Sequence, residues 1–138
     1  MEIAEHSVDE FLAGHPDAAA LTTLDQVIVE AAPHLSRRLW TGAFWGGTEQ
    51  RIIGYGDIEQ PRPRGKSVRW FLLGLARQKN YLSLYVNAVE DGRYLAQDYG
   101  PRLGRTKLGS ASVSFRAVGD IDLAVLRELV EHSARTIA

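Results

Sequence analysis

Two glycine-containing basic segments of this sequence have side chains suited to phosphate binding. The first, Gly65-Lys66-Ser67, matches the end of a P-loop signature, in which backbone amides and a lysine hold the phosphates of a nucleotide. That signature also requires a glycine at position 60, where this chain has Gln60, and a helix directly after the loop, where the pattern predicts a strand. We therefore reject the P-loop interpretation.

The second basic segment is GPRLGRTKLGS, residues 100–110. It also leads into a predicted strand, so it lacks the helix N-terminus that assists phosphate loops, and we predict that it does not bind nucleotides. Its cations Arg102, Arg105 and Lys107 can still hold an anion by their side chains alone. The alternative is a solvated basic loop.

Four acidic side chains, Glu2, Glu5, Asp9 and Glu10, follow one another closely near the N-terminus. Carboxylate oxygens are ligands for hard and borderline cations, so these residues are candidates for a metal site. The alternative is a solvated helix face, since runs of charge usually face water.

The sequence contains no recognisable catalytic signature. There is no Cys, which excludes thiolate nucleophiles and Cys-ligated zinc or iron–sulfur clusters. The four histidines, His6, His15, His34 and His132, follow no metal-ligand spacing and no nucleophile-elbow pattern. An enzyme site assembled from distant residues is an alternative; otherwise we expect a non-catalytic protein without a bound cofactor.

The composition is that of a single globular domain covering residues 1–138, with 45% hydrophobic and 24% charged residues. The net charge of −1 conceals an uneven distribution, because residues 1–59 carry 3 basic and 10 acidic side chains and residues 60–116 carry 11 basic and 3 acidic ones. The sequence pI of about 6.4 argues against a dedicated nucleic-acid-binding domain. Because no signal peptide or membrane-spanning pattern is present, we expect a cytoplasmic protein.

The hydrophobic periodicity predicts helices at both ends of the chain and strands between them. Ser7-Val8-Asp9-Glu10 fits a capping box at the start of a first helix that stops at Gly14, and a second helix follows until Pro33. Strand periodicity begins at Arg37, and Asp120 is the predicted N-cap of a terminal helix. The predicted fold class is α+β, with a twisted antiparallel sheet of about five strands that carries the N- and C-terminal helices on one face.

The most regular predicted element is a hairpin in residues 67–89 around the turn Gln78-Lys79-Asn80. If Arg77 pairs with Tyr81, strand alternation gives one apolar face, which packs on the helices, and one face that mixes large apolar, aromatic and basic side chains. Exposed apolar patches often mark binding sites, so we predict that this open face, with the polar side of the last strand, contacts a partner or ligand. The predicted contact residues are Arg69, Phe71, Leu73, Arg77, Tyr81, Ser83, Tyr85, Ser114 and Arg116.

An alternative interpretation is that this face is covered within one chain. Either RLWTGAF, residues 38–44, or residues 92–110 would then fold over Phe71, Leu75 and Tyr85 and create a second small core. The solvent accessibility of these side chains distinguishes the two interpretations.

Four segments of the chain carry a family resemblance: SVDEFLAGHPD, LWTGAF, KNYLSLYVNA and LGSASVSFRAVGDIDLAVLRELVEHSA. Together they resemble the YdhG-like family of small bacterial domains. The chain departs from the family pattern at Ala43, where many relatives have proline, and at Gly109-Ser110-Ala111, where relatives often have a lysine. The resemblance implies a compact α+β domain with helices on one face of an antiparallel sheet. Some members resemble frataxin-type iron chaperones, which bind iron through acidic residues and partners through the open sheet face.

From the sequence we therefore predict a non-catalytic, cytoplasmic binding domain. Its open sheet face would contact an unknown protein, a small molecule or a second copy of the chain, and neither a membrane nor nucleic acid is an expected partner. The first alternative is a frataxin-like iron carrier that uses Glu5, Asp9 and Glu10. The second is an enzyme whose site is assembled from distant residues.

Overall fold

The computed structural model describes residues 2–5, 7–15, 18–43, 49–61 and 65–138. In this part of the chain the helices are α1 (Val8–Gly14), α2 (Ala18–Ala31), α3 (Leu95–Leu103) and α4 (Leu123–Arg135). The strands are β1 (Glu2–Ile3), β2 (Arg37–Ala43), β3 (Glu49–Pro61), β4 (Ser67–Arg77), β5 (Leu82–Val86), β6 (Val89–Glu90), β7 (Arg93–Tyr94), β8 (Lys107–Leu108) and β9 (Ser112–Phe115). No helix of the described ranges is long and apolar enough to cross a membrane.

Seven strands form one antiparallel sheet in the order β1-β2-β3-β4-β5-β9-β8, and β6 and β7 form a separate small hairpin. The predicted α+β class with an antiparallel sheet is confirmed. The sequence predicted about five strands, and the two additional ones, β1 and β8, are two-residue strands at opposite edges of the sheet. Strands this short have no alternating pattern for a sequence to display.

The first and last helices each begin at a side-chain cap. Ser7 Oγ accepts a hydrogen bond from the N–H of Glu10 at 3.1 Å, as the capping pattern predicted for α1. The predicted cap of α4 is wrong: Asp122 is the N-cap, and its Oδ1 accepts from two N–H groups in the first turn of α4 at 2.9 and 3.3 Å. Asp120 instead accepts from the N–H of Ala117 at 3.1 Å and closes the 3-10 turn before α4.

The helices cover one face of the sheet. The main core lies between the helices and this face, and its buried members include Leu24 and Ile28 of α2 and Leu126 and Leu129 of α4. The opposite face carries a second, smaller core built from strand residues. This second core contains Trp40, Ile52, Trp70, Phe71, Ala76 and Tyr85.

The β4–β5 hairpin has a different register from the predicted one. Arg77 pairs with Leu82 and not with Tyr81, because a two-residue loop closes the hairpin, with the Gln78 N–H donating to the Tyr81 carbonyl at 2.8 Å. A shift of one residue turns the side chains of one strand to the other face relative to its partner. The residues of the two strands that belong to the main core are Leu72, Leu73, Leu75, Leu82, Leu84 and Val86.

Two glycines leave room for the aromatic rings of the second core. Gly54 of β3 and Gly74 of β4 are direct partners in the sheet. A Cβ atom at Gly54 would lie 2.5 Å from the Trp40 ring, and one at Gly74 would lie 2.6 Å from the Phe71 ring. The two rings therefore pack directly on the sheet backbone.

Candidate functional site

The open face predicted from the sequence is largely buried within one chain. Phe71 and Leu73 are 0% exposed and Tyr85 is 8% exposed. Leu73 belongs to the main core, and Phe71 and Tyr85 belong to the second core together with Trp40 from RLWTGAF. The prediction that these side chains are accessible is therefore wrong. A second small core exists, as the alternative stated, but no segment folds over the whole face: Trp40 joins this core from β2 of the same sheet, and Leu73 and Leu75 lie in the main core.

The other predicted contact residues fall into two groups. Ser83 is buried, Arg77 is half-buried, and Arg69 is exposed but lies 3.3 Å from Asp57 in an ion pair. The second group lines a groove at the edge of the sheet and consists of Tyr81, Ser114 and Arg116.

This groove lies between the β8–β9 hairpin and the turn that joins β4 to β5, and its volume is about 770 Å³. Three basic side chains line it, namely Arg105, Lys107 and Arg116, and all three are exposed. We call it the cationic groove. Two of these cations come from the basic segment that the sequence singled out, and the third comes from the end of the last strand.

The cations of the cationic groove are not neutralised by nearby acids. Arg105, Lys107 and Arg116 form no ion pair with a carboxylate in the described part of the chain. Arg102, by contrast, pairs with a glutamate of α4 at 2.8 Å. The described lining contains one carboxylate, Asp120, and that side chain is held by the Ala117 N–H. The groove therefore presents an excess of positive charge.

Neutral hydrogen-bonding groups and apolar surface complete the lining. Hydroxyl groups come from Tyr81, Thr106, Ser112 and Ser114. Phe115 is 4% exposed and supplies buried apolar surface, whereas Leu108 is 39% exposed and Tyr81 is 43% exposed. A bound molecule can thus contact cations, hydroxyls and apolar groups at once.

The β8–β9 hairpin that forms one wall is fixed to α3. The side-chain amide of Gln97 donates to the carbonyls of Gly109 and Ser110 at 2.6 and 2.8 Å, and the Gly109 N–H donates to the Ser112 carbonyl at 2.9 Å. Leu108 packs against Gly100 of α3, where a Cβ atom would clash with its side chain. These contacts hold the tip and the flank of the hairpin.

Arg105 is positioned by the backbone. Its N–H donates to the Asp120 carbonyl at 2.8 Å, which joins the middle of the basic segment to the turn before α4. The preceding residue, Gly104, has a φ of 129° and lies so close to the Asp120 carbonyl that a Cβ atom would overlap it. Glycine is required there for Arg105 to reach the groove.

The chemistry of the cationic groove is that of binding. Arginine and lysine hold carboxylates and phosphates through charge-assisted hydrogen bonds, and hydroxyl groups add neutral donors. No histidine lines the described part of the groove, so Ser112 and Ser114 have no imidazole base beside them. The arrangement suits recognition of an anion.

A second polar cluster is buried between the first two helices and the sheet. Asp25 accepts hydrogen bonds from Arg37 Nε at 2.9 Å, from Arg37 Nη2 at 2.6 Å and from Tyr55 Oη at 2.6 Å. Burial, with the nearby Asp25 carboxylate, raises the pKa of Tyr55 well above its usual value. A small cavity of about 290 Å³ borders Asp25 and Arg37. Both carboxylate oxygens of Asp25 already accept hydrogen bonds within the chain, so we assign the cluster a structural role, which is to join α2 to β2 and β3.

Within the described residues, the N-terminal acids are not gathered into a metal-binding group. Asp9 and Glu10 are neighbours on α1, so their side chains diverge, and Asp9 lies 3.1 Å from Arg37 in an ion pair. The described residues contain no group of three or more His, Asp or Glu side chains that could hold a metal ion, so Glu5, Asp9 and Glu10 are not brought together. Ser67 begins β4, so a strand and not a helix follows the P-loop-like residues, as predicted.

A hydroxyl–imidazole–carboxylate chain links three elements that are distant in sequence. Tyr99 Oη lies 2.9 Å from His132 Nδ1, and His132 Nε2 lies 3.0 Å from a carboxylate oxygen of Glu90. No spacing in the sequence signals this chain. It borders neither the cationic groove nor the cavity at Asp25, and it connects β6, α3 and α4.

No family model, no curated protein and no solved structure matches this chain. The resemblance to the YdhG-like family thus stays a prediction from the residues that carry it.

Proposed function

We propose that this protein is a non-catalytic, cytoplasmic binding domain of YdhG-like type, and that it binds an anionic ligand or partner in the cationic groove. The class of function is the one predicted from the sequence, but the proposed binding surface is the cationic groove and not the open face of the sheet. Of the predicted contact residues, it retains Tyr81, Ser114 and Arg116.

One observation carries this proposal: Arg105, Lys107 and Arg116 converge on one groove without a carboxylate partner in the described ranges. Arg93 and Arg127, by contrast, lie within ion-pair distance of acids. Other exposed cations also lack a carboxylate partner in the described ranges, such as Arg51, Lys66 and Arg135, but they lie outside this groove. Cations held together on a fixed hairpin repel one another, and an anionic ligand relieves that repulsion. The contacts of Gln97 and Gly104 fix their spacing before the ligand arrives, which lowers the entropy lost on binding.

The test is an NMR titration of the isotope-labelled protein with inorganic tripolyphosphate at constant ionic strength. We expect the amide shifts to concentrate in residues 104–109, 112–116 and 78–81. A triple variant, Arg105→Ala with Lys107→Ala and Arg116→Ala, should bind about tenfold or more weakly, since each charged hydrogen bond contributes on the order of 1.5–3 kcal/mol.

A second triple variant controls for net charge. Arg51→Ala with Lys66→Ala and Arg135→Ala removes three exposed cations outside the groove and should leave the titration unchanged. Equal weakening in both variants, or shifts spread over all surface cations, would mean that only diffuse electrostatics is at work and would overturn the proposal.

A further inference from the structure

The cationic groove combines its charge with exposed apolar surface. The described chain has five exposed large hydrophobic side chains, and two of them, Tyr81 and Leu108, line this one groove. Exposed apolar groups beside cations favour a ligand that carries apolar groups beside its negative charges. Tyr and Arg are also the residue types most enriched among energetically dominant contacts in protein interfaces.

The groove is open, which bears on the size of the ligand. A small-molecule site usually encloses most of its ligand, yet Arg105, Lys107, Leu108 and Arg116 are all exposed at this groove. A chain segment can lie along such a groove and make contacts at several points, so it does not depend on enclosure. The hydroxyl groups of the lining can form hydrogen bonds with the backbone amides of that segment.

The charge of the whole chain favours an acidic peptide over a nucleic acid as the ligand of the groove. The net charge is −1, with 10 acidic side chains in residues 1–59, so a long polyanion meets repulsion away from the groove. A short acidic segment needs only the three groove cations. Resting on the proposed function, we propose that the occupant of the cationic groove is an extended acidic peptide segment of another protein, with apolar side chains between its carboxylates.

Fluorescence anisotropy with two labelled peptides tests this inference. In the first, Glu alternates with Leu and Phe; in the second, Ser replaces Leu and Phe, so that the charge is unchanged. We expect the first peptide to bind about tenfold more tightly than the second, because only it uses Tyr81 and Leu108. The triple variant without groove cations should lose both peptides.

The apolar contribution is isolated by variants of the protein. Tyr81→Ser and Leu108→Ser, made separately and together, should bring the ratio of the two peptide affinities close to one. This ratio reports the apolar contacts, because both peptides carry the same charges and lose any contact with the Tyr81 hydroxyl equally. Val89→Ser is the matched control, because Val89 is 48% exposed and lies on β6, outside the groove lining. If Leu108→Ser disturbs the hairpin, Tyr81→Ser alone still gives the comparison.

The possible results distinguish this inference from the proposed function. If tripolyphosphate maps to the groove but both peptides bind equally, the groove is an anion site and the peptide inference is wrong. If a single-stranded oligonucleotide of equal charge binds the groove more tightly than the first peptide, the ligand class is wrong. If no anion maps to the groove, both proposals fall.

Discussion

Asp25 illustrates how one buried charge is made tolerable in this fold. The side chain is 7% exposed, and its oxygens accept three hydrogen bonds from Arg37 and Tyr55. A buried carboxylate is costly unless it is paired and hydrogen bonded, and removing one member leaves the other without compensation. The pKa of Arg37 is raised chiefly by its hydrogen bonds to Asp25, which favour the charged guanidinium.

We expect Asp25→Ala to lower the free energy of unfolding by about 3 kcal/mol, because Arg37 and Tyr55 lose their acceptor. Urea denaturation measures the change. Asp9→Ala is the matched control: Asp9 contacts the same arginine, but its side chain is 83% exposed, so we expect a loss of about 1 kcal/mol or less. Similar losses of free energy in the two variants would contradict the larger contribution to stability that we assign to the buried Asp25.

At the scale of elements, the sheet has apolar side chains on both faces, and only one face carries helices. Among the described residues, strand side chains build the second core: Trp40 stands 5.9 Å from Trp70 and 5.6 Å from Phe71 between ring centroids, and Phe71 stacks on Trp70 at 4.9 Å. Gly54 and Gly74 bring these rings onto the backbone. Strand glycine normally costs stability, and here it gives the space in which the aromatic cluster packs.

We expect Gly54→Ala and Gly74→Ala each to destabilise the protein by about 1–3 kcal/mol, because the added methyl group overpacks the Trp40 or Phe71 ring. Thermal unfolding with tryptophan emission reports both the stability and the packing of the second core. Gly14→Ala, where no atom lies within 4 Å of the added Cβ, should leave the midpoint unchanged or raise it slightly, because alanine fits the end of α1 and restricts the unfolded chain. An unaltered midpoint and emission in both strand variants would show that the second core is packed differently.

At the scale of the whole molecule, the sheet order separates opposite charges. Glu2 lies on β1 at one edge of the sheet, and Lys107 lies on β8 at the other. Glu2 and the cationic groove therefore lie at opposite edges of the sheet. Under the proposed function, positive charge at this edge would help to steer an anionic partner toward the groove.

Stability of the whole molecule should depend on pH in the alkaline range. The pKa values of Tyr55 and Tyr85 are raised, and burial is the main cause. A tyrosine in the unfolded chain titrates near pH 10. Above about pH 10 the unfolded chain loses these protons first, so the stabilisation that is complete below that pH declines as pH rises.

The free energy of unfolding, measured in urea between about pH 8 and pH 11, should therefore fall in the wild type. Tyr55→Phe and Tyr85→Phe should each make the fall shallower, because each removes one of the two tyrosines whose pKa is raised by burial. Equal slopes for all three proteins would contradict the role assigned to burial.

Local chemistry was predictable from the sequence. The Ser7 cap, the two N-terminal helices, the hairpin and the α+β class each follow from patterns within a short window, where capping groups and periodicity act between near neighbours. The basic segment with Arg105 and Lys107 was also visible as a candidate anion site. The choice between Asp120 and Asp122 was not, because both precede the apolar stripe and a 3-10 turn takes the first.

Tertiary structure decided that both faces of the β4–β5 hairpin are buried, and it brought the residues of the cationic groove together. β4 carries apolar residues on both sides, so alternation alone does not fix the register, and the second core depends on Trp40 from a strand about thirty residues earlier. The cationic groove likewise exists only because β9 pairs with both β5 and β8. Those pairings bring Tyr81 and Arg116 to the cations of the basic segment, and strand pairing across the sheet depends on the packing of the whole chain, which no local pattern encodes.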